Sequence, residues 1–326
     1  MKLSPGAANM PDLLTNQPFS RRTASSELPF AGRHGKPAAM APPSVPHDHA
    51  ALVHAASSDA VLCTIVGIDG SFSRRVGTQL AVDPDKTRVG DMADKCLDDE
   101  LASHAVAALA EGKPRLLRYG KGSPIVDFRL PCGSGLDIWI DPAPDRAALR
   151  DCVATLETRE KASLALPLPV DAPDHLLRER HYIPAPRLVL LGAGGECASL
   201  VNLCETQGIA VEWREAGQGL DLGRAPEGVA VDWWTAILLL FHDHEWEHAL
   251  LQWALGTPAF LIGAQGGAPA REERMARLRA AGRIEYELAR IHSPVGLIPR
   301  ARDPQVLALS VLSELVGTYE MLHPHA

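Results

Sequence analysis

The sequence predicts an α/β protein, with an N-terminal α+β domain followed by a C-terminal Rossmann-like domain on a parallel sheet. The second half carries two signals. A short apolar run, Leu188 to Leu191, leads into Gly192-Ala193-Gly194-Gly195-Glu196-Cys197. There Cys197, Leu200, Val201 and Cys204 recur at helical i, i+3, i+4, i+7 spacing. Later, Ala236 to Phe241 is apolar throughout, as a strand buried on both faces requires. The first half instead alternates short strand-like runs and turn residues with three helical stretches.

Residues 1–45 are rich in Pro, Ala, Ser and Gly without apolar periodicity and read as a disordered extension. Arg21-Arg22 lacks a following apolar segment, so export is not expected, and Met40 is an alternative start. Residues 46–165 form the first domain. A helix is expected over Ala50 to Ala56, a strand over Ala60 to Val66, a turn at Gly67-Ile68-Asp69-Gly70 and a strand over Thr78 to Val82. Asp83-Pro84-Asp85 is turn chemistry. The helix Leu97 to Ala110 opens with Asp98, Asp99 and Glu100, which its dipole favours. Strands over Ile125 to Arg129 and Leu136 to Ile140 bracket Pro131-Cys132-Gly133-Ser134-Gly135, and a helix covers Arg146 to Glu157.

Residues 166–184 read as a Pro-rich linker, and 185–326 as the Rossmann-like domain. After the first helix, Gly208 is a stop and Ile209 to Trp213 a second strand. A helix over Trp246 to Leu255 ends at Thr257-Pro258, and Phe260 to Ile262 is a strand. Arg271 to Ala281 is a charged helix with Gly282 past its end. Its Arg271-Glu272-Glu273-Arg274 reads as a solvated face. Ile291 to Leu297 is a strand-to-loop passage. The final helix, Pro304 to Leu322, is expected to turn Val306, Leu309, Val311, Leu312 and Leu315 to the core.

Composition narrows the function. A content of 46% hydrophobic and 22% charged residues fits a soluble globular chain, and 326 residues suggest two domains. The net charge of −8 argues against nucleic acid as a partner, and no apolar run reaches membrane-span length. Six scattered cysteines without a CxxC pair suggest a reducing cytoplasm.

Four constellations could carry chemistry. Gly192 permits a tight turn and Gly194 a close approach of phosphate, while the helix start offers N–H groups to an anion. Glu215, about twenty residues on, stands where a carboxylate would meet a ribose hydroxyl. Against this, Cys197 occupies the third glycine position, and Glu196 places a charge that repels phosphate. In His242-Asp243-His244-Glu245, an extended backbone would put both histidines on one side as metal ligands; alternatively, Asp243 caps a helix. Gly70-Ser71-Phe72-Ser73-Arg74-Arg75 is either an anion grip or a solvated hairpin. Cys96, at a helix start, and Cys132, in a glycine loop, are either reactive thiols or small packing residues. Cys63, Cys152, Cys197 and Cys204 read as fillers.

Taken in order, these motifs resemble the XdhC/CoxI family, molybdenum-cofactor chaperones of xanthine dehydrogenase-type enzymes, over roughly residues 50–318. Gly70-Ser71, Ser73-Arg74 and Gly77 match its Gly-Ser-Ser-Pro-Arg loop and following glycine. Val89-Gly90 and Cys96 to Glu100 match its Gly-Gly-Cys-x-Glu region, and Cys132-Gly133 its Cys-Gly-Gly. Gly192-Ala193-Gly194 matches the Rossmann turn, with Glu215 at the usual aspartate. His242 to Glu245 matches Thr-His-Asp-His apart from Phe241, and Ile291 to Leu297 matches Ile-His-Ala-Pro-Ile-Gly-Leu.

The resemblance implies a homodimer that binds molybdopterin-type molybdenum cofactor and delivers it to an apo molybdenum hydroxylase. Sulfuration is handled alongside, with a cysteine desulfurase as a further partner, and no turnover is expected. The implied cofactor-binding residues are Gly70, Ser71, Ser73, Arg74, Cys96, Cys132, Gly133, Gly192, Ala193, Gly194, Gly195, Glu215, His242, Asp243, His244 and Glu245. Cys96 and Cys132 are placed near the molybdenum, and the cofactor between the domains. The sequence departs from the pattern at Ala93-Asp94-Lys95, Gly195-Glu196-Cys197, Gly263-Ala264-Gln265-Gly266 and Ile298-Pro299-Arg300. The alternatives are an NAD(P)-binding oxidoreductase and a partner-binding paralogue without a ligand.

Overall fold

The computed structural model describes residues 47–92, 95–124 and 133–325. The N-terminal extension, the strand expected over Ile125 to Arg129, and Cys132 lie outside the described residues.

The first half is a five-stranded antiparallel sheet in the order β3-β2-β1-β5-β4. Its strands are β1 (Val61–Asp69), β2 (Gln79–Val82), β3 (Arg88–Gly90), β4 (Arg115–Gly120) and β5 (Gly135–Asp141). The central β1 alternates between two cores, as period-2 geometry demands. Val61, Cys63 and Ile65 pack under α2 (Lys95–Glu111). Leu62 and Val66 pack with α1 (Ala50–Ser57) and α3 (Arg146–Glu157). The turn expected at Gly67–Gly70 is a continuation of β1 instead. A register shift between Ile65 and Gly67 lets Ile68 pair with Leu136 and Asp69 with Gly135. The strand β4 carries no clear sequence signal. Its only wholly buried residue is Tyr119, so its apolar signal is weak. A two-stranded ribbon, β6 (Ala162–Ala165) with β7 (Glu179–Tyr182), joins the first core together with Leu166, Leu168, Ala172 and Leu176.

The second half is a six-stranded parallel sheet in the order β10-β9-β8-β11-β12-β13. Its strands are β8 (Arg187–Gly192), β9 (Ala210–Ala216), β10 (Gly219–Leu220), β11 (Thr235–Leu240), β12 (Leu261–Ala264) and β13 (Ile291–His292). Leu188 and Leu190 face α4 (Gly195–Thr206) and α8 (Pro304–Glu320). Val189 and Leu191 face α5 (Glu247–Leu255) and α6 (Ala268–Ala280), with the short α7 (Glu285–Leu288) beyond. From β8 the chain crosses through α4 to β9, then returns to place β11 on the other side of β8. That reversal opens a crevice at the carboxyl ends of β8 and β11, where such folds bind ligands.

On α8 the buried face is Ala308, Val311, Leu312 and Leu315. Val306 and Leu309, expected in the core, are exposed, since they lie off the stripe that this spacing defines.

The first half attaches to the amino edge of the parallel sheet. Arg159 binds Asp232 and the carbonyls of Ala185 and Trp234, just ahead of β8 and β11. Tyr319, at the end of α8, donates to the Pro184 carbonyl, and Arg75 reaches Glu320.

Candidate functional site

The crevice is built from two strand ends. Gly192 closes β8 with φ 144°, and a Cβ there would lie 2.2 Å from the Leu240 carbonyl oxygen. Only glycine lets β8 and β11 end this close together. The indole N–H of Trp213, on β9, donates to the Gly192 carbonyl over 2.8 Å and holds the turn against the sheet. Gly194 precedes α4 with φ 119° and offers no side-chain cap. Cys197 is fully buried at the third glycine position, and burial beside Glu196 and Glu215 pushes its thiol up to about 12. Cys204 behaves alike, so both are inert packing residues.

Glu196 is the unexpected feature of the turn. It is only 5% exposed, and its carboxylate folds back over Gly194. A Cβ on Gly194 would meet Glu196 Oε2 at 3.0 Å. Glu196 Oε1 is sealed from solvent without an aligned hydrogen-bond donor. His242 Nε2 comes within 2.8 Å of it, off the hydrogen-bond axis. The carboxylate thus lies in the direction that a missing Cβ leaves open to a pyrophosphate.

The histidine segment does not converge on a metal. His242 leans to Glu196 with 75% of its side chain exposed. His244 turns the other way, with Nδ1 3.1 Å from Glu247 Oε1. Asp243 accepts from the Glu245 N–H over 3.0 Å, and α5 begins only at Glu247, so Asp243 shapes a turn rather than capping the helix. Among the described residues no three His, Cys, Asp or Glu side chains could hold a metal ion.

Behind His244 lies a network that the sequence did not announce. Arg274, expected on a solvated face, is buried and forks onto Glu247 at 2.7–2.9 Å. It also donates to Ser293 Oγ and, over 2.7 Å, to the Gln265 carbonyl. The signal that could have found it is its helical spacing from Leu278 and Ala270, on the face that α6 turns to α5.

The first-half residues gather elsewhere. Gly70 has φ 94°, and Ser134 Oγ donates to the Ser71 carbonyl, so Gly70-Ser71 and Gly133-Ser134 adjoin. Arg74 is held by Asp91 at 2.5 Å, which takes up most of its capacity for an external anion. Cys96 falls in the first turn of α2. The α8 helix separates this cluster from the crevice. Pro304, at its start, packs 3.6 Å from the Cβ position of Gly195, while Glu320, at its end, holds Arg75. Its 17 residues span about 25 Å at 1.5 Å each. Among the described residues of one chain, the loop from Gly70 to Arg75 and the glycine turn therefore sit at opposite ends of α8 and do not form one site.

These features define a two-part α/β protein whose parallel-sheet half ends β8 in a glycine turn overlain by a carboxylate. Residues 188–315 match the XdhC Rossmann domain, and residues 53–120 match the XdhC and CoxI family. The chain belongs to the XdhC and CoxI family. It is 31% identical to the molybdenum cofactor insertion chaperone PaoD of Escherichia coli (strain K12), over 79% of this chain and 83% of that protein. It is 23% identical to a probable xanthine dehydrogenase subunit of Bacillus subtilis (strain 168), over 80% and 93% of the two chains. A crystal structure of a xanthine dehydrogenase from Bacillus halodurans shares the fold, with a TM-score of 0.63 and 18% identity over 83% of this chain and 95% of that one. No helix among the described residues is long and apolar enough to cross a membrane.

Proposed function

We propose that this protein binds molybdenum cofactor and assists its insertion into a xanthine dehydrogenase-type apo-enzyme. The observation that carries the reading is its 31% identity, across most of both chains, to a protein named as a molybdenum cofactor insertion chaperone. The crevice between the ends of β8 and β11 is the binding place we favour, since ligands enter open parallel sheets at such a reversal. Ala193, Gly194, Gly195, Glu215 and the segment His242 to Glu245, at or near the carboxyl ends of the central strands, would border it. The glycine turn does not fit a terminal phosphate as it stands, because the Glu196 carboxylate lies over Gly194. The polar rim, His242 above all, would instead receive the cargo.

Gly70, Ser71, Ser73, Arg74 and Gly133 would belong to a second surface on the far side of α8. In this reading that surface serves the partner: the apo-enzyme, a cysteine desulfurase or a second copy of the chain in a homodimer. The setting is the cytoplasm. An NAD(P)-dependent oxidoreductase is disfavoured by the charge in its phosphate seat. The test is to incubate the chain with molybdenum cofactor, repurify it, and read molybdenum by elemental analysis and oxidised pterin by fluorescence. Stoichiometric loading that falls at least tenfold in His242→Ala but not in Arg74→Ala supports the crevice. A folded wild type carrying neither signal removes the reading in favour of a partner-binding protein without cargo.

A further inference from the structure

The Rossmann turn keeps two backbone features of a phosphate site. Gly192 and Gly194 adopt left-handed φ values, and no side chain caps α4, which leaves the helix start suited to an anion. A carboxylate nonetheless occupies the seat. Glu196 stands in the first turn, 95% shielded from solvent, with Oε2 3.0 Å from where a Gly194 Cβ would be. Its Oε1 has no aligned donor. A buried carboxylate oxygen left in that condition is unfavourable unless the surrounding field favours negative charge. The positive end of α4 supplies such a field.

We propose that Glu196 is a built-in anion that fills the phosphate seat of this turn and makes the crevice reject nucleotide phosphates. His242 covers it from the solvent side, with Nε2 2.8 Å from Oε1, so the pair closes the seat together. An anionic phosphate group approaching Gly194 meets both occupied volume and like charge. Exclusion by a repulsive group is a recognised route to specificity. It lets a chain with a dinucleotide-type turn stay free of NAD(P) and other abundant nucleotides. The crevice is thereby reserved for a ligand that binds without a phosphate on the turn. This exclusion is a property of the turn and does not depend on the cargo.

The test is a titration of full-length wild-type, E196Q, E196A and E196S chains with NADH, followed by nucleotide fluorescence, and with ADP, followed by calorimetry. Circular dichroism and melting establish which variants are folded. The expected result is no saturation of the wild type at millimolar nucleotide and a tenfold or larger gain in a folded variant. A gain in E196Q shows that charge excludes the ligand, and a gain confined to E196A or E196S shows that occupied volume does; both support the proposal. Saturation of the wild type at micromolar NADH overturns it, as does a folded variant set with no gain. Molybdenum cofactor loading is not read in this titration, so the two readings fail separately.

Discussion

Arg274 on α6 and Glu247 at the start of α5 form a forked ion pair at 2.7–2.9 Å, with each side chain 3% exposed. The pair joins two helices and, through the Gln265 carbonyl and Ser293, fixes the loops after β12 and β13. Removing one partner strands a buried charge, which costs about 3–5 kcal/mol. E247Q and R274M are each expected to fall in that range by urea denaturation. The double variant R274M/E247L should recover much of the loss, because two apolar groups leave no buried charge. A double variant as unstable as the sum of the singles would contradict this account.

Gly192 and Gly195 differ sharply in what they allow. A Cβ on Gly192 would overlap the Leu240 carbonyl at 2.2 Å and force alanine into φ 144°. The strain alone costs about 1–3 kcal/mol, and the overlap adds to it. G192A is expected to lower stability by at least about 2 kcal/mol. G195A meets only Pro304 at 3.6 Å and should change it by less than about 0.5 kcal/mol. Equal losses in the two would remove the close approach of β8 and β11 as the cause.

The C-terminal tail is docked by groups that acid disturbs. His325 Nε2 accepts from the His181 N–H over 3.0 Å, so the docked ring is neutral. Burial, followed by the charge of Arg180 and the nearby His323 and His181, pushes its pKa down to about 4. The unfolded value is about 6.5. A base whose folded pKa is depressed binds protons more readily when undocked. Its contribution is therefore full above about pH 6.5 and is lost as pH falls toward 4. Asp48 titrates lower. Burial alone would raise it, but the His323 hydrogen bond and the charges of Arg180 and Arg75 outweigh this and hold it well below the usual carboxylate range. Its share is lost only below about pH 4, the ordinary carboxylate value. Amide protection factors of residues 319–325, taken relative to the intrinsic exchange rate at each pH, should fall between pH 7 and pH 4.5 in the wild type, and much less so in H325N.

The two faces of α8 should respond differently. L312A empties a core position and is expected to cost about 2–5 kcal/mol. L309A, on the exposed face, should stay within about 0.5 kcal/mol of wild type in thermal unfolding. A large loss in L309A at low protein concentration would show that this face is buried in solution.

Local signals were legible wherever one segment carried its own periodicity. The run Leu188 to Leu191, the glycine turn and the helix behind it appear where the pattern places them. So do α3 and the strand ending at Leu240. The misses have physical causes. β1 runs past Gly67 because a bulge keeps it paired with β5, and no local signal marks a bulge. Charge suggested a solvated Arg274, but its carboxylate partner is 27 residues away. The segment His242 to Glu245 was rich in ligand-type side chains, yet each histidine turns to a different glutamate.

The sequence by itself determined the fold class, the glycine turn and the family, because each rests on residue spacing within one strand or helix, or on the order of motifs along the chain. The tertiary structure alone decided three things: that the first half docks on the amino edge of the parallel sheet, that the loop from Gly70 to Arg75 and the glycine turn lie at opposite ends of α8, and that the Glu196 carboxylate folds back over Gly194. Each depends on which surfaces meet after distant segments pack. Side-chain direction and partner choice at such meetings are set by burial and charge compensation across elements, which no single segment encodes.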